Sequence, residues 1–198
     1  MPTTIHLVRH GHHGLLGRLL CGRMEGVAID QCGREEIAGC AELLQPPPSV
    51  VQSSPQLRAR QSADILAARF GKTVEIVAAI DEIELGDWTA RRFDELDQDP
   101  AWHCWNAQRG TARPPGGESM YELQSRVVGH IERLRSECSG ETIVLVSHAE
   151  PIRAAILHYE NVPLDDFLSV EIDTASVSTI IADSLRFELS QVNRKVQA

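Results

Sequence analysis

Thr3-Thr4-Ile5-His6-Leu7-Val8-Arg9-His10-Gly11-His12-His13 is the stretch whose reading decides the fold of this chain. Ile5, Leu7 and Val8 form a short β-prone run. Gly11 permits a sharp turn where a Cβ would obstruct the backbone. Arg9 and His10 are therefore predicted at a strand's carboxyl end, the edge at which open α/β sheets bind ligands. Taken alone, Arg9-His10-Gly11 fits a surface turn equally well. The choice rests on whether other strand ends deliver complementary groups.

The surrounding chain has 198 residues, enough for one domain, 1–198, with a sizeable core. It is 42% hydrophobic and 24% charged, ordinary for a globular protein. A net charge of −9 argues against a nucleic-acid or anionic-membrane partner, so an anionic substrate has to be met by local positive charge. Cys21, Cys32, Cys40, Cys104 and Cys138 form no close C-x-x-C pair and are expected as reduced thiols. With no basic and apolar leader and no run of membrane-spanning length, the expectation is a cytoplasmic protein.

Downstream of the opening strand, residues 12–30 are rich in glycine and contain Arg18, Arg23 and Glu25, which predicts a long functional loop. Residues 33–44 have helical spacing, ended by Pro46-Pro47-Pro48. Residues 49–52 read as a strand, and Ser53-Ser54-Pro55 as the start of a helix carrying Arg58 in its first turns, where amides and the dipole favour anions. Residues 72–80 read as another strand, leading to Asp81, Glu82, Glu84 and Asp87. Residues 89–140 read as a helical cap over one end of the sheet. Within it, Trp102 and Trp105 are expected in a core, and residues 118–138 form an amphipathic helix.

Thr142-Ile143-Val144-Leu145-Val146 is a continuous apolar run of the kind buried on both faces of a parallel sheet. His148 follows it where strand passes into helix, with Pro151 near the helix start. Residues 168–172, 177–182 and 186–189 read as three final strands, followed by a tail from Val192. The predicted fold is a three-layer α/β/α sandwich around a mixed, mostly parallel sheet.

Arg9, His10, Arg58, Glu82 and His148 thus fall at separate strand ends. Two arginines supply bidentate donors for a phosphate, two histidines a nucleophile and a neighbour, and one carboxyl group can move a proton. Phosphoryl transfer without a metal or other cofactor needs that inventory. Glu84 competes with Glu82, because two residues apart in an extended segment they share a face.

This set resembles the histidine phosphatase, or phosphoglycerate mutase-like, superfamily. The resemblance runs through Arg9-His10-Gly11, Ser54-Pro55-Gln56-Leu57-Arg58-Ala59-Arg60-Gln61-Ser62-Ala63, Glu82 with Gly86 and Trp88, Gly116-Gly117-Glu118-Ser119 and Ser147-His148. It covers residues 5–153 in the family's order. It implies that His10 is transiently phosphorylated, that Arg9, Arg58 and His148 surround the phosphoryl group, and that Glu82 serves as acid and then base. It also favours Glu82 over Glu84 through spacing to Gly86. His12 and His13 depart from the family's usual Glu or Gln followed by Thr or Ser, Leu16 stands where an asparagine often contacts phosphate, and Ala149-Glu150 replaces the common glycine pair. Substrate identity is what these departures touch.

The expected activity is that of a phosphomonoesterase of the histidine acid type acting on a small phosphorylated metabolite, with Arg18 and Arg23 as substrate contacts. A bisphosphoglycerate-dependent mutase is the first alternative, disfavoured because such family members generally carry a longer mid-chain insertion. A catalytically idle phosphate-binding module is the second.

Overall fold

The computed structural model describes residues 1–196. Its six-stranded sheet comprises β1 (Thr3–Arg9), β2 (Val50–Ser53), β3 (Val74–Ile76), β4 (Thr142–Ser147), β5 (Val177–Ala182) and β6 (Phe187–Arg194), in the order β3-β2-β4-β1-β5-β6. β3, β2, β4 and β1 are mutually parallel, whereas β5 is antiparallel to β1 and β6 to β5. Six α-helices accompany the strands among the described residues: α1 (Gln31–Cys40), α2 (Leu57–Phe70), α3 (Phe93–Leu96), α4 (Pro100–Ala107), α5 (Met120–Glu137) and α6 (Ala149–Tyr159).

Strand alternation builds two cores. Ile5 and Leu7 of β1 with Ile143 and Leu145 of β4 face α5 and α6, meeting Leu123, Val127, Ile131, Ile152 and Ile156. Val8, Val144 and Val146 face the opposite side, against Ile37 of α1 and Ala59, Ala63 and Leu66 of α2. The continuous apolar run of β4 is buried throughout, because both sheet faces are covered there. This is the three-layer α/β/α sandwich that the sequence predicts.

Several local expectations change. The chain leaves β3 after Ile76 and makes a 3-10 turn, Ala78–Ile80, because Ile80 dives into the core and its carbonyl accepts from Ser147 Oγ at 2.7 Å. The residue capping α2 is Gln56; Ser54 is committed elsewhere, as described below. Residues 168–172 form no strand, since Leu164–Ser169 is a 3-10 turn that buries Phe167. The carbonyls of Val170 and Ile172 there accept from Arg153 Nε at 2.8 Å and Arg9 Nη1 at 2.6 Å, side chains taking the place of a ladder. β6 continues to Arg194, past the expected start of the tail.

Within residues 89–140, α3 and α4 border the cavity that contains His10. α5 lies in the sandwich layer beside α6, its start set by a capping box between Ser119 and Glu122.

Candidate active site

β1, β2 and β4 are parallel and in register, with Arg9 beside Ser147 and Ser53 beside Val146, so their carboxyl ends meet at one edge. His10 and His148 leave that edge side by side, their rings 5.1 Å apart, and His10 N donates to Ser147 O at 3.0 Å. Gly11 earns its place through proximity: a Cβ there would overlap the Gly33 carbonyl at the start of α1. It is this close approach that excludes a side chain at Gly11, a constraint the turn argument did not contain.

His10 Nδ1 lies 2.8 Å from the Gly11 carbonyl, which only accepts, so the proton sits on Nδ1. The Nε2 lone pair faces the cavity and accepts from Arg58 Nε at 3.3 Å. Burial, followed by the Arg58 and Arg9 charges, holds the ring's pKa well below the usual histidine value. His10 is therefore a neutral imidazole with an available lone pair.

His148 is oriented differently. Its Nε2 is 2.8 Å from Ser54 Oγ, and Ser54 donates to Asp81 Oδ1 at 2.9 Å. A hydroxyl has one proton, and a carboxylate only accepts, so Nε2 of His148 is the donor to Ser54. Nδ1 then faces Glu82, with Oε2 3.8 Å away. Burial and the neighbouring Arg58 charge lower the His148 pKa well below its usual value.

Arg58 is anchored by Nη2 donating to the Gly22 carbonyl at 2.7 Å, and Arg9 by Ile172. Glu82 follows the Ala78–Ile80 turn and lines the same cavity. Burial raises its pKa to about 7, against an opposing pull from Arg58. Arg9 Nε, Arg58 Nη1, His13 Nδ1 and His148 Nδ1 are buried without a hydrogen-bond partner. Such groups are rare in native interiors and call for a ligand. The Arg9 and Arg58 atoms are cationic donors beside the His10 imidazole, suited to a tetrahedral oxyanion.

This geometry agrees with comparison to known proteins, in which residues 5–195 match the histidine phosphatase superfamily (branch 1). The chain belongs to that superfamily. As a member, it is 29% identical over 180 residues to phosphoserine phosphatase 1 of Hydrogenobacter thermophilus, covering 87% of this chain and 84% of that protein. An uncharacterized protein of Mycobacterium tuberculosis is 30% identical over 191 residues, 93% and 92% of the two chains. Among solved structures, a mycobacterial glucosyl-3-phosphoglycerate phosphatase shares the fold with a TM-score of 0.87 at 23% identity, covering 98% of this chain and all of that one, 100%.

Of the residues anticipated from sequence, the fold brings Arg9, His10, Arg58 and Glu82 into one cavity lining, with the fully buried His148 Nδ1 3.8 Å from Glu82 Oε2. Arg18 and Arg23, expected as substrate contacts, do not line it. Arg18 is exposed beside Arg92, Phe93 and Asp94. Arg23 is occupied by Glu118 at 3.0 Å, Glu84 and Asp81 at 3.4 Å, and the Glu82 carbonyl at 2.8 Å. It braces the acidic segment instead. Glu84 points to that arginine and to Gly86 N, so the two carboxylates do not share a face. Gly86, with φ 52°, turns the chain where a Cβ would strike the Pro115 carbonyl.

The sequence reading missed Arg109, Glu150 and Arg153 in the cavity wall. Glu150 was noted only as a departure from the glycine pair, and an arginine inside an irregular helical stretch carries no signal of burial. Among the described residues, His12, Asp30 and Cys32 are the cluster with metal-ligand chemistry, their ligand atoms within 4.8 Å. Asp30 there already accepts from His12 Nδ1 at 2.6 Å and from Gly33 N at 2.9 Å as the α1 cap.

Proposed function

We propose that the protein hydrolyses phosphomonoesters of small metabolites through a phosphohistidine at His10. The observation that carries this reading is the unprotonated Nε2 of His10, buried beside unpartnered guanidinium donors of Arg9 and Arg58. The phosphoryl oxygens are held by those two guanidinium groups, with the His148 ring beside them. His10 Nε2 attacks phosphorus while the bond to the ester oxygen breaks, and Glu82, protonated near neutral pH, gives its proton to that oxygen. Water then attacks the phosphohistidine, Glu82 takes the water's proton, and the nitrogen–phosphorus bond breaks to release inorganic phosphate. Fixed donors around the equatorial oxygens stabilise the transition state, each worth about 10²- to 10³-fold in rate.

In this sense the chemistry is of the histidine acid-phosphatase type, with a carboxylic acid entering the cycle protonated. Five free cysteines, Cys21, Cys32, Cys40, Cys104 and Cys138, support a reducing, cytoplasmic setting. Among the described residues no helix is long and apolar enough to cross a membrane. Within the 89–140 cap region, α3 and α4 line the cavity through Phe93, Trp102, Trp105 and Asn106, where the leaving group would lie.

The test is incubation with p-nitrophenyl phosphate and, separately, with 3-phosphoglycerate plus a bisphosphate primer, in EDTA, for wild type and His10→Ala. We expect hydrolysis by wild type, an acid-labile phosphoenzyme, and loss of both in the variant. Unchanged hydrolysis by His10→Ala, or complete dependence on added metal, would overturn the mechanism. Isomerisation outrunning hydrolysis would make the protein a mutase, and tight phosphate binding without turnover an idle module.

A further inference from the structure

The cavity that contains His10 encloses about 370 Å³, and the phosphoryl group fills only its inner end. Its outer end is built from three separate chain segments that converge with apolar side chains. The turn after β1 contributes Leu16 and Leu19, α3 contributes Phe93, and the Leu164–Ser169 turn contributes Phe167 and Leu168. Leu168 is 76% exposed at this mouth, and Leu16, Leu19 and Phe93 are half-buried. Apolar side chains left in water on three elements around one opening mark a surface that a ligand covers.

Most polar groups of the outer wall are engaged with one another. Asn106 accepts from Arg109 Nη2 at 2.8 Å and donates to the Trp102 carbonyl at 2.9 Å. Glu150 stands between Arg153 at 2.9 Å and Arg109 at 3.5 Å. The Arg109 guanidinium is sealed between two rings, 3.2 Å from the Trp105 centroid and 3.6 Å from that of Phe167. Its Nη1 is ion-paired with Glu150 Oε2 at 3.5 Å, while its Nε, like Trp105 Nε1, is buried without a hydrogen-bond partner. A sugar's hydroxyls would lose their water here and meet groups mostly engaged with one another or sealed between rings.

From this juxtaposition, phosphate cradle inside and committed polar wall with apolar mouth outside, we infer that the preferred substrates are phosphomonoesters of a bulky apolar alcohol or phenol. Sugar phosphates and short polar esters are the poorer substrates. The inference rests on the phosphatase reading above and adds the class of leaving group. The outer chamber binds that apolar body, and Leu168 and Leu16 set how much of it is buried.

The experiment measures kcat/KM for ethyl, butyl and hexyl phosphate, with glucose 6-phosphate and phosphoserine alongside, and the binding of ethyl-, butyl- and hexylphosphonate to wild-type protein by calorimetry. Each added methylene should raise kcat/KM and phosphonate affinity about threefold until the chamber is full. Hexyl phosphate should outrun both polar esters. Leu168→Ser and Leu16→Ser should flatten the chain-length series; Leu168 is too exposed for its replacement to unfold the protein. A flat or falling series, or a polar ester outrunning hexyl phosphate, overturns the inference while the phosphatase reading stands. Phosphonate affinity that climbs with chain length while no ester is hydrolysed and His10 takes up no phosphate supports the apolar chamber and overturns the phosphatase reading.

Discussion

The ends of β1 and β4 are adjacent, parallel and in register, and each strand is followed directly by a buried histidine. Burial and shared arginines depress both imidazoles in the same direction. What separates them is the group behind each ring. A backbone carbonyl takes the Nδ1 proton of His10, whereas the Ser54 hydroxyl, backed by Asp81, takes the Nε2 proton of His148. One ring therefore turns an Nε2 lone pair to the cavity and the other an Nδ1 edge toward Glu82. Two equivalent positions in the sheet acquire different chemistry through a single hydrogen bond each. A backbone carbonyl cannot be mutated away, while a serine relay can, so the two ends respond differently to substitution.

The largest expected contrast is between the rings themselves. His10→Ala should lower turnover by about 10⁴-fold or more and abolish acid-labile phosphate incorporation, because no other lone pair replaces Nε2. Radiolabelled phosphoenzyme trapping reads this directly, and incorporation into the variant at the wild-type level would mean that the β1 end is not the nucleophile.

Next is Glu82, which faces His148. With its pKa raised to about 7 it is protonated below that value and ionised above it. Turnover of an alkyl phosphate, whose departing oxygen needs a proton, should therefore fall as pH rises above about 7, and Glu82→Gln should remove that limb with a loss of about 10²- to 10⁴-fold. p-Nitrophenyl phosphate, with a leaving group that needs little protonation, should lose less. An identical pH limb in the Gln variant would show that another group titrates.

Ser54→Ala sharpens the comparison at the β4 end alone. It leaves the His148 Nε2 proton without its acceptor and frees the ring to change tautomer, at a cost of about five- to thirtyfold in kcat/KM, the worth of one buried hydrogen bond. Ser54→Thr, which keeps the hydroxyl, should restore most of it. A pH profile that differs between Ser54→Ala and wild type would separate a positioning role from simple destabilisation. The smallest effect belongs to Glu84→Gln. Since Glu84 is turned to Arg23, turnover should stay within about threefold, and abolished turnover there would exchange the roles of the two carboxylates.

Much of the site was legible because its residues follow strands whose apolar patterns are strong. β1 and β4 end where their hydrophobic runs end, so Arg9, His10 and His148 could be placed at one sheet edge from sequence. Arg58 was legible as part of a helix start, though the capping serine was misassigned: Ser54 looks like a helix cap, yet its hydroxyl is claimed by His148 and Asp81 across the sheet. The same limit affects Arg23. A glycine-rich loop with arginines reads as a substrate contact, but Glu118 and Glu84, distant in sequence, had already folded against it.

The sequence by itself determined the layered α/β architecture and the family, and it pointed to the five polar residues of the proposed phosphoryl site. It could do so because strand periodicity, a glycine that tolerates close approach, and basic residues at strand ends are local patterns. Tertiary structure alone decided which imidazole nitrogen carries a proton, which of two neighbouring carboxylates reaches the cavity, and how Arg109, Glu150 and three apolar segments close its outer wall. Those choices depend on partners tens of residues away, and hydrogen-bond direction, burial and charge pairing are set only when the distant segments meet.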